Sequence, residues 1–256
     1  MNIRILGAHN CESQATRFVC LLIDDTLAID AGGLTSNLSI SEQQKLKAIL
    51  LTHQHYDHIR DVPAIALNLS LQGAGIEVYC TPEVRDIIET HILNGKVYPK
   101  FQELPEAKPT VSFNLITPYE PESIHGYEIL AIPVNHGLTT VGYQVSNSEG
   151  KAMFYTADTG PGLLDCWQYL CPQLLIIDVT VPNSYEEFAM NTGHLTPSLL
   201  NEELIKFREL KGYLPRIIVV HMDPTLEKEI EEEVAVVAES LNTLITVAHE
   251  GMQLHI

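Results

Sequence analysis

Thr52-His53-Gln54-His55-Tyr56-Asp57-His58-Ile59 follows directly on the apolar run Ala48-Ile49-Leu50-Leu51. Such a run reads as a buried strand. Along an extended strand end, residues two apart point the same way, so His53 and His55 converge on one point. A helix is then expected, with Asp61 as N-cap and Pro63 in the first turn, where its missing N–H is tolerated. Asp57 and His58, at that corner, face a second point near the first. Imidazole nitrogen and carboxylate oxygen suit zinc, iron or manganese, and two such ions about 3.5–4 Å apart can share one water. A His-rich surface loop is the plainer reading; the spacing argues for metal.

Outward from this stretch, other strands end in the same kind of residue. Residues 129–134 read as a strand ending in Asn135-His136-Gly137, with the glycine beside His136 allowing close approach. Residues 151–156 end in Ala157-Asp158-Thr159, where a carboxylate could bridge two ions. Residues 174–177 run into Asp178-Val179-Thr180, and 217–220 into His221-Met222-Asp223. In layered α/β proteins the loops at one sheet edge build the site. His53, His55, Asp57, His58, His136, Asp158 and His221 are therefore expected to form one metal cluster. Asp30, ending a strand over 26–30, is expected to anchor the metal loop from behind.

Strands are also expected over 2–6, 17–23, 76–80, 243–248 and 252–256. Helices are expected over 41–47 with Ser41 as cap, over 62–71, and from Thr81-Pro82-Glu83 to about 93. Thr196 should cap a helix through Arg208, and 226–241 reads as an amphipathic helix with a solvated acidic face. Residues 94–122 are rich in Pro and aromatic residues, and read equally as edge strands with turns or as a flap over the active site. Cys166 and Cys171, flanking Trp167, are expected to pack. His9 could lie near the site.

The 256 residues suffice for one large domain, 1–256, with no repeat or linker. No h-region follows Met1, and no apolar run approaches the roughly 18 residues of a membrane span. Five scattered cysteines make no disulfide framework, so a reducing cytoplasm is the expected compartment. Lys and Arg total 15 against 33 Asp and Glu, a net −18. Such a surface repels polyanions at long range, so neither extended nucleic acid nor an anionic membrane is an expected partner. A small anionic substrate remains open, since bound cations reverse the field locally. The oligomeric state, a homodimer included, is not fixed by the sequence.

The constellation resembles the metallo-β-lactamase superfamily over essentially the full chain. THQHYDH matches its HxHxDH motif, and His136, Asp158 and His221 match its later metal positions in order. The resemblance implies an α/β fold of αββα type, two mixed β-sheets with helices on the outer faces. It implies two divalent ions, zinc foremost, with iron or manganese as alternatives. His53, His55 and His136 would hold one ion, and Asp57, His58 and His221 the other, with Asp158 bridging.

Ala157-Asp158-Thr159-Gly160-Pro161, Asp178-Val179-Thr180-Val181-Pro182-Asn183 and Gly193-His194-Leu195-Thr196-Pro197 look like the phosphodiesterase branch. The likeness is greatest to the class II cyclic-nucleotide phosphodiesterases, whose SFPN-like segment differs here at Thr180 and Val181. The tRNA 3′-processing endonucleases (tRNase Z) are similar too. Their basic projecting arm has no counterpart here, and −18 argues against a tRNA grip. Glyoxalase II and persulfide dioxygenases share HxHxDH but have no GHLTP counterpart.

The expected function is hydrolysis of a small phosphodiester, a 3′,5′-cyclic nucleotide to the 5′-monophosphate. Asp57 would orient the nucleophile and His194 would protonate the leaving oxygen, held and favoured in its protonated form by Asp178. A di-iron oxygen-binding or redox protein on the same fold is the alternative, against which the Asp178–His194 pair argues.

Overall fold

The apolar runs become fourteen strands in two seven-stranded mixed sheets. The computed structural model describes all 256 residues. It resolves them into two compact units, residues 1–7, 17–117 and 250–255, and residues 8–16, 118–249 and 256.

In the first unit the strands are β1 (Asn2–Gly7), β2 (Cys20–Ile23), β3 (Leu27–Ile29), β4 (Ala48–Leu50), β5 (Ile76–Cys80), β6 (Val111–Leu115) and, from the chain end, β14 (Gln253–His255). Their order is β14-β1-β2-β3-β4-β5-β6. β14 through β3 pair antiparallel, and β3 through β6 pair parallel. Parallel neighbours need crossovers. These are supplied by α1 (Leu34–Asn37), α2 (Ile40–Gln43), α3 (Tyr56–Ile59), α4 (Val62–Ser70) and α5 (Pro82–Ile87). Ile65, Ala66 and Leu69 of α4 join Ile49 of β4 and Val78 of β5 in one buried cluster. Each of these Val, Ile and Leu side chains contributes about 1.5–3 kcal/mol on burial.

The second unit holds β7 (Glu122–Ile124), β8 (Tyr127–Pro133), β9 (Val141–Ser146), β10 (Ala152–Tyr155), β11 (Leu174–Asp178), β12 (Arg216–Val220) and β13 (Ile245–Val247). Their order runs from β13 to β7. β10 to β13 are parallel and β7 to β10 antiparallel, the same mixture as in the first unit. α6 (Leu164–Tyr169), α7 (Glu186–Thr192), α8 (Pro197–Lys211) and α9 (Glu227–Leu241) complete it. Thr196 caps α8 by accepting from the Leu199 N–H at 3.4 Å, with Pro197 next and Gly212 at the far end. Buried Glu203 of α8 accepts the backbone N–H groups of Gly162 and Leu163, which fixes the turn after Asp158.

Several boundaries differ from expectation. The cap of α2 is Ser39, not Ser41, because Ser39 and Glu42 close a reciprocal capping box. The helix from Pro82 leaves α geometry at Ile88 and ends in one π-helical turn, Ile88–Ile92. The strand expected over 17–23 is continuous only from Cys20, with Phe18 in an isolated bridge before it. β9, α6 and α7 were not anticipated. Residues 94–110 carry no strand, and Phe101 is buried in the first unit's apolar cluster. Cys166 packs, its thiol donating to the Pro133 carbonyl and pushed up by burial to about 12, whereas Cys171 is exposed. No disulfide joins the five cysteines, and no helix is long and apolar enough to cross a membrane.

Candidate metal centre

β3 and β4 are parallel neighbours, so Asp30 and Thr52 leave the first unit's sheet at the same edge. Asp30 is fully buried and adopts φ 58°, a left-handed conformation that aspartate tolerates better than most residues. Its Oδ1 accepts from the Thr52 N–H at 2.9 Å, and its Oδ2 from Nδ1 of His58 at 2.7 Å. Thr52 Oγ1 lies 3.0 Å from both carboxylate oxygens. Burial raises the Asp30 pKa, opposed by His58 and Thr52, and the net direction is upward. Since Asp30 accepts from Nδ1, the lone pair of His58 is on Nε2, 3.4 Å from Asp57 Oδ2. Nε2 of His53 lies 2.9 Å from Nδ1 of His55. A side chain on Gly32 would strike the Asp57 carbonyl, so glycine is required where α3 passes.

In the second unit the parallel strands β10, β11 and β12 deliver Asp158, Asp178 and His221 to one edge. Ala157 and His221 adopt φ 58° and 68°, the same left-handed exit as Asp30. Alanine has no polar side chain to favour this region, so Ala157 is held there by its surroundings, a pattern common at functional sites. His136 follows β8, and its Nδ1 donates to the Gly193 carbonyl at 2.9 Å, which puts the lone pair on Nε2. That Nε2 lies 4.0 Å from Asp158 Oδ2, and Nε2 of His221 lies 3.4 Å from the same oxygen.

Asp178 is fully buried, with Oδ2 accepting from the Thr159 N–H at 3.0 Å and from Nδ1 of His194 at 2.8 Å. Its burial would raise the pKa, but His194 and His221 outweigh this and hold the carboxyl below its ordinary value. The His194 ring keeps 12 % side-chain exposure and stacks on His221 with centroids 5.2 Å apart.

Thus the first unit gathers His53, His55, Asp57 and His58, and the second gathers His136, Asp158 and His221 beside Asp178 and His194. The donor chemistry fits divalent metal. Ligand atoms about 2.0–2.1 Å from a tetrahedral ion lie about 3.3 Å from one another. The His53–His55 and His221–Asp158 separations of 2.9 and 3.4 Å are of this size. Asp178, His194 and His221 also converge closely enough to ligate. There Nδ1 of both imidazoles is already hydrogen-bonded, so hydrogen bonding accounts for that triplet. His9, whose place the sequence left open, is buried against the His221 segment: it bridges Met222, and its Nε2 is 3.4 Å from Glu227 Oε1.

Three positions escaped sequence reasoning. Thr52 and Thr180 each join a buried aspartate to an imidazole, and their only signal was adjacency to the motif residues. The glycine that permits close approach to His136 is Gly193, not Gly137: a Cβ on Gly193 would lie 2.9 Å from His136 Cα, while one on Gly137 meets nothing nearer than 4.0 Å.

A family model described as the beta-lactamase superfamily domain matches residues 26–222. A metal-dependent hydrolase of Myxococcus xanthus is 27 % identical over 127 residues, 47 % of this chain and 40 % of that protein. Ribonuclease Z of Prochlorococcus marinus is 26 % identical over 166 residues, 60 % of this chain and 52 % of that protein. The matched stretches thus span about half the length of these curated relatives. Unliganded yeast PDE1 shares the fold with a TM-score of 0.85 at 16 % identity, covering 100 % of this chain and 99 % of that one.

Proposed function

The chain belongs to the metallo-β-lactamase superfamily, and on that premise we propose that it is a dinuclear metallohydrolase of small phosphodiesters, cleaving a 3′,5′-cyclic nucleotide to the 5′-monophosphate. In this reading His53, His55 and His136 would hold one divalent ion and Asp57, His58 and His221 the other, with Asp158 as a ligand available to both. Zinc is the metal we favour for a donor set of imidazoles and carboxylates. When bound, the ions supply charge neutralisation of the phosphate and a water whose pKa falls to about 7.

The protein's own groups do the rest. Asp57, at the start of α3, accepts the proton of the attacking water as its oxygen bonds to phosphorus. His194 donates a proton from Nε2 to the 3′-oxygen as the P–O bond breaks. Asp178 accepts Nδ1–H and so fixes which nitrogen faces the leaving group.

One observation carries the hydrolytic reading. His194 is hydrogen-bonded through Nδ1 to a fully buried carboxylate, yet its ring remains partly exposed. Oxygen binding or electron transfer at a di-iron site needs no such pair; expulsion of an alkoxide does. A ribonuclease reading is favoured by the Prochlorococcus relative and opposed by the net charge of −18. We propose the cytoplasm as the protein's compartment, which suits five free cysteines, and a homodimer as its candidate assembly.

The test is a hydrolysis screen of cyclic nucleotides, linear dinucleotides, precursor tRNA and thioesters, with bound metal measured on the same sample. Turnover of a cyclic nucleotide by zinc-loaded protein is expected. A coloured iron protein inert toward all phosphodiesters would overturn the reading.

A further inference from the structure

Each unit contains the same local device. In the first, Thr52 Oγ1 lies 3.0 Å from the Asp30 carboxylate and 3.0 Å from Nδ1 of His53. In the second, Thr180 Oγ1 lies 2.6 Å from Asp178 Oδ1 and 2.8 Å from Nδ1 of His221. An ionised carboxylate only accepts, and a hydroxyl has a single proton. The Thr180 proton is therefore committed to Asp178, and its oxygen can only accept from His221. Nδ1 of His221 must carry hydrogen, and the lone pair falls on Nε2, the nitrogen 3.4 Å from Asp158.

Thr180 is also held from every side. It is 3 % exposed, its N–H donates to the Leu195 carbonyl, and its carbonyl accepts from the Asp223 N–H. Those two partners are one residue after His194 and two after His221. A β-branched side chain on so fixed a backbone has little χ1 freedom. Nδ1 of His194 lies 3.2 Å from the same hydroxyl oxygen, within reach of a second accepted bond. Asp178 cannot take over the task, because its Oδ1 is 3.7 Å from Nδ1 of His221, beyond hydrogen-bond reach.

We infer that Thr180 is a positioning residue whose one hydroxyl sets the tautomer of His221, presenting Nε2 to metal, and fixes the Asp178 carboxylate on which His194 turns. The roles of His221 and His194 rest on the function proposed above; the hydrogen-bond logic does not.

The variants are Thr180→Val, which keeps shape and removes the hydroxyl, and Thr180→Ser, which keeps the hydroxyl. The first readout needs neither metal nor substrate: imidazole ¹⁵N shifts of the metal-free, histidine-labelled protein, recorded well above the ordinary imidazole pKa. Wild type and Thr180→Ser should show His221 as the Nδ1–H tautomer, and Thr180→Val should lose that preference. The second is zinc affinity by chelator competition, expected to fall about 10–100-fold in Thr180→Val, the usual cost of losing a hydrogen bond behind a ligand, and to be restored in Thr180→Ser. An Nε2–H tautomer in wild type overturns the inference even if Thr180→Val fails to fold. So does undiminished zinc affinity in a folded Thr180→Val protein. If wild type itself binds no zinc, the metal reading fails while the tautomer result still decides the role of Thr180.

Discussion

His58 and His194 each donate Nδ1–H to a fully buried aspartate, at 2.7 and 2.8 Å, yet one ring is sealed and the other partly open. In the function proposed above, the sealed ring of His58 suits a metal ligand and the partly open ring of His194 suits a group that meets substrate. That difference leads to two expectations at this scale. His55→Ala removes Nδ1 from its place 2.9 Å from Nε2 of His53, so bound metal should fall and with it the stability that metal confers. An ion present at about 100-fold its Kd contributes about 2.7 kcal/mol to the folded state. A thermal melt with metal analysis checks this, and full metal with an unchanged melt would remove His55 from the ligand set. His194→Ala should keep its metal and slow hydrolysis of a cyclic nucleotide by about 10²–10⁴-fold, the range for a lost general acid. A nitrophenyl phosphodiester, whose leaving group needs little protonation, should lose much less. Equal losses on the two substrates would make His194 a phosphate-binding or supporting group.

The strand ends were legible because a buried strand is an apolar run, and His or Asp immediately after such a run marks its exit at the sheet edge. Asp30, His53, Asp158, Asp178 and His221 all leave parallel strands in this way. The short elements between were not. α7 offers no clear apolar period, and its outer residues Phe188 and Met190 are exposed. The α2 cap was misread because Ser39 and Ser41 both precede an acceptor three residues on; the carboxylate of Glu42 forms the capping box that the neutral Gln44 does not. Gly193 ends α7 at φ 75°, and no sequence signal showed that its neighbour would be His136. Gly193→Ala therefore tests this element. A left-handed alanine costs about 1–2 kcal/mol, and its Cβ, 3.0 Å from Nδ1 of His136, must displace that ring from the Gly193 carbonyl. Lower stability and weaker zinc binding together are expected, from denaturant unfolding and chelator competition. Loss of stability alone would mean that His136 re-seats without consequence.

The charge is not evenly spread over the molecule. Residues 8–16 and 118–249 carry six Lys and Arg against 20 Asp and Glu, a net −14. Residues 1–7, 17–117 and 250–255 carry nine against 13, a net −4. The unit with His136, Asp158, His194 and His221 is thus the strongly acidic one. A bound polynucleotide would have to lay its phosphates along that surface with few cations to meet them, and field effects over such a surface reach several kT. One small phosphate at the proposed metal pair would avoid the problem, because bound cations dominate the field at contact distance. The prediction concerns salt. Each phosphate neutralised by Lys or Arg in a single strand contributes about −0.7 to the slope of log K against log salt. For precursor tRNA, anisotropy titrations at several salt concentrations should show weak binding with a slope near zero, and hydrolysis of a cyclic nucleotide should change little over the same range. A slope of about −3 or steeper, the signature of roughly four phosphate contacts, with tight binding at low salt, would show that the acidic unit is bypassed by a cationic track. The substrate would then be RNA, and the small-phosphodiester reading would be wrong.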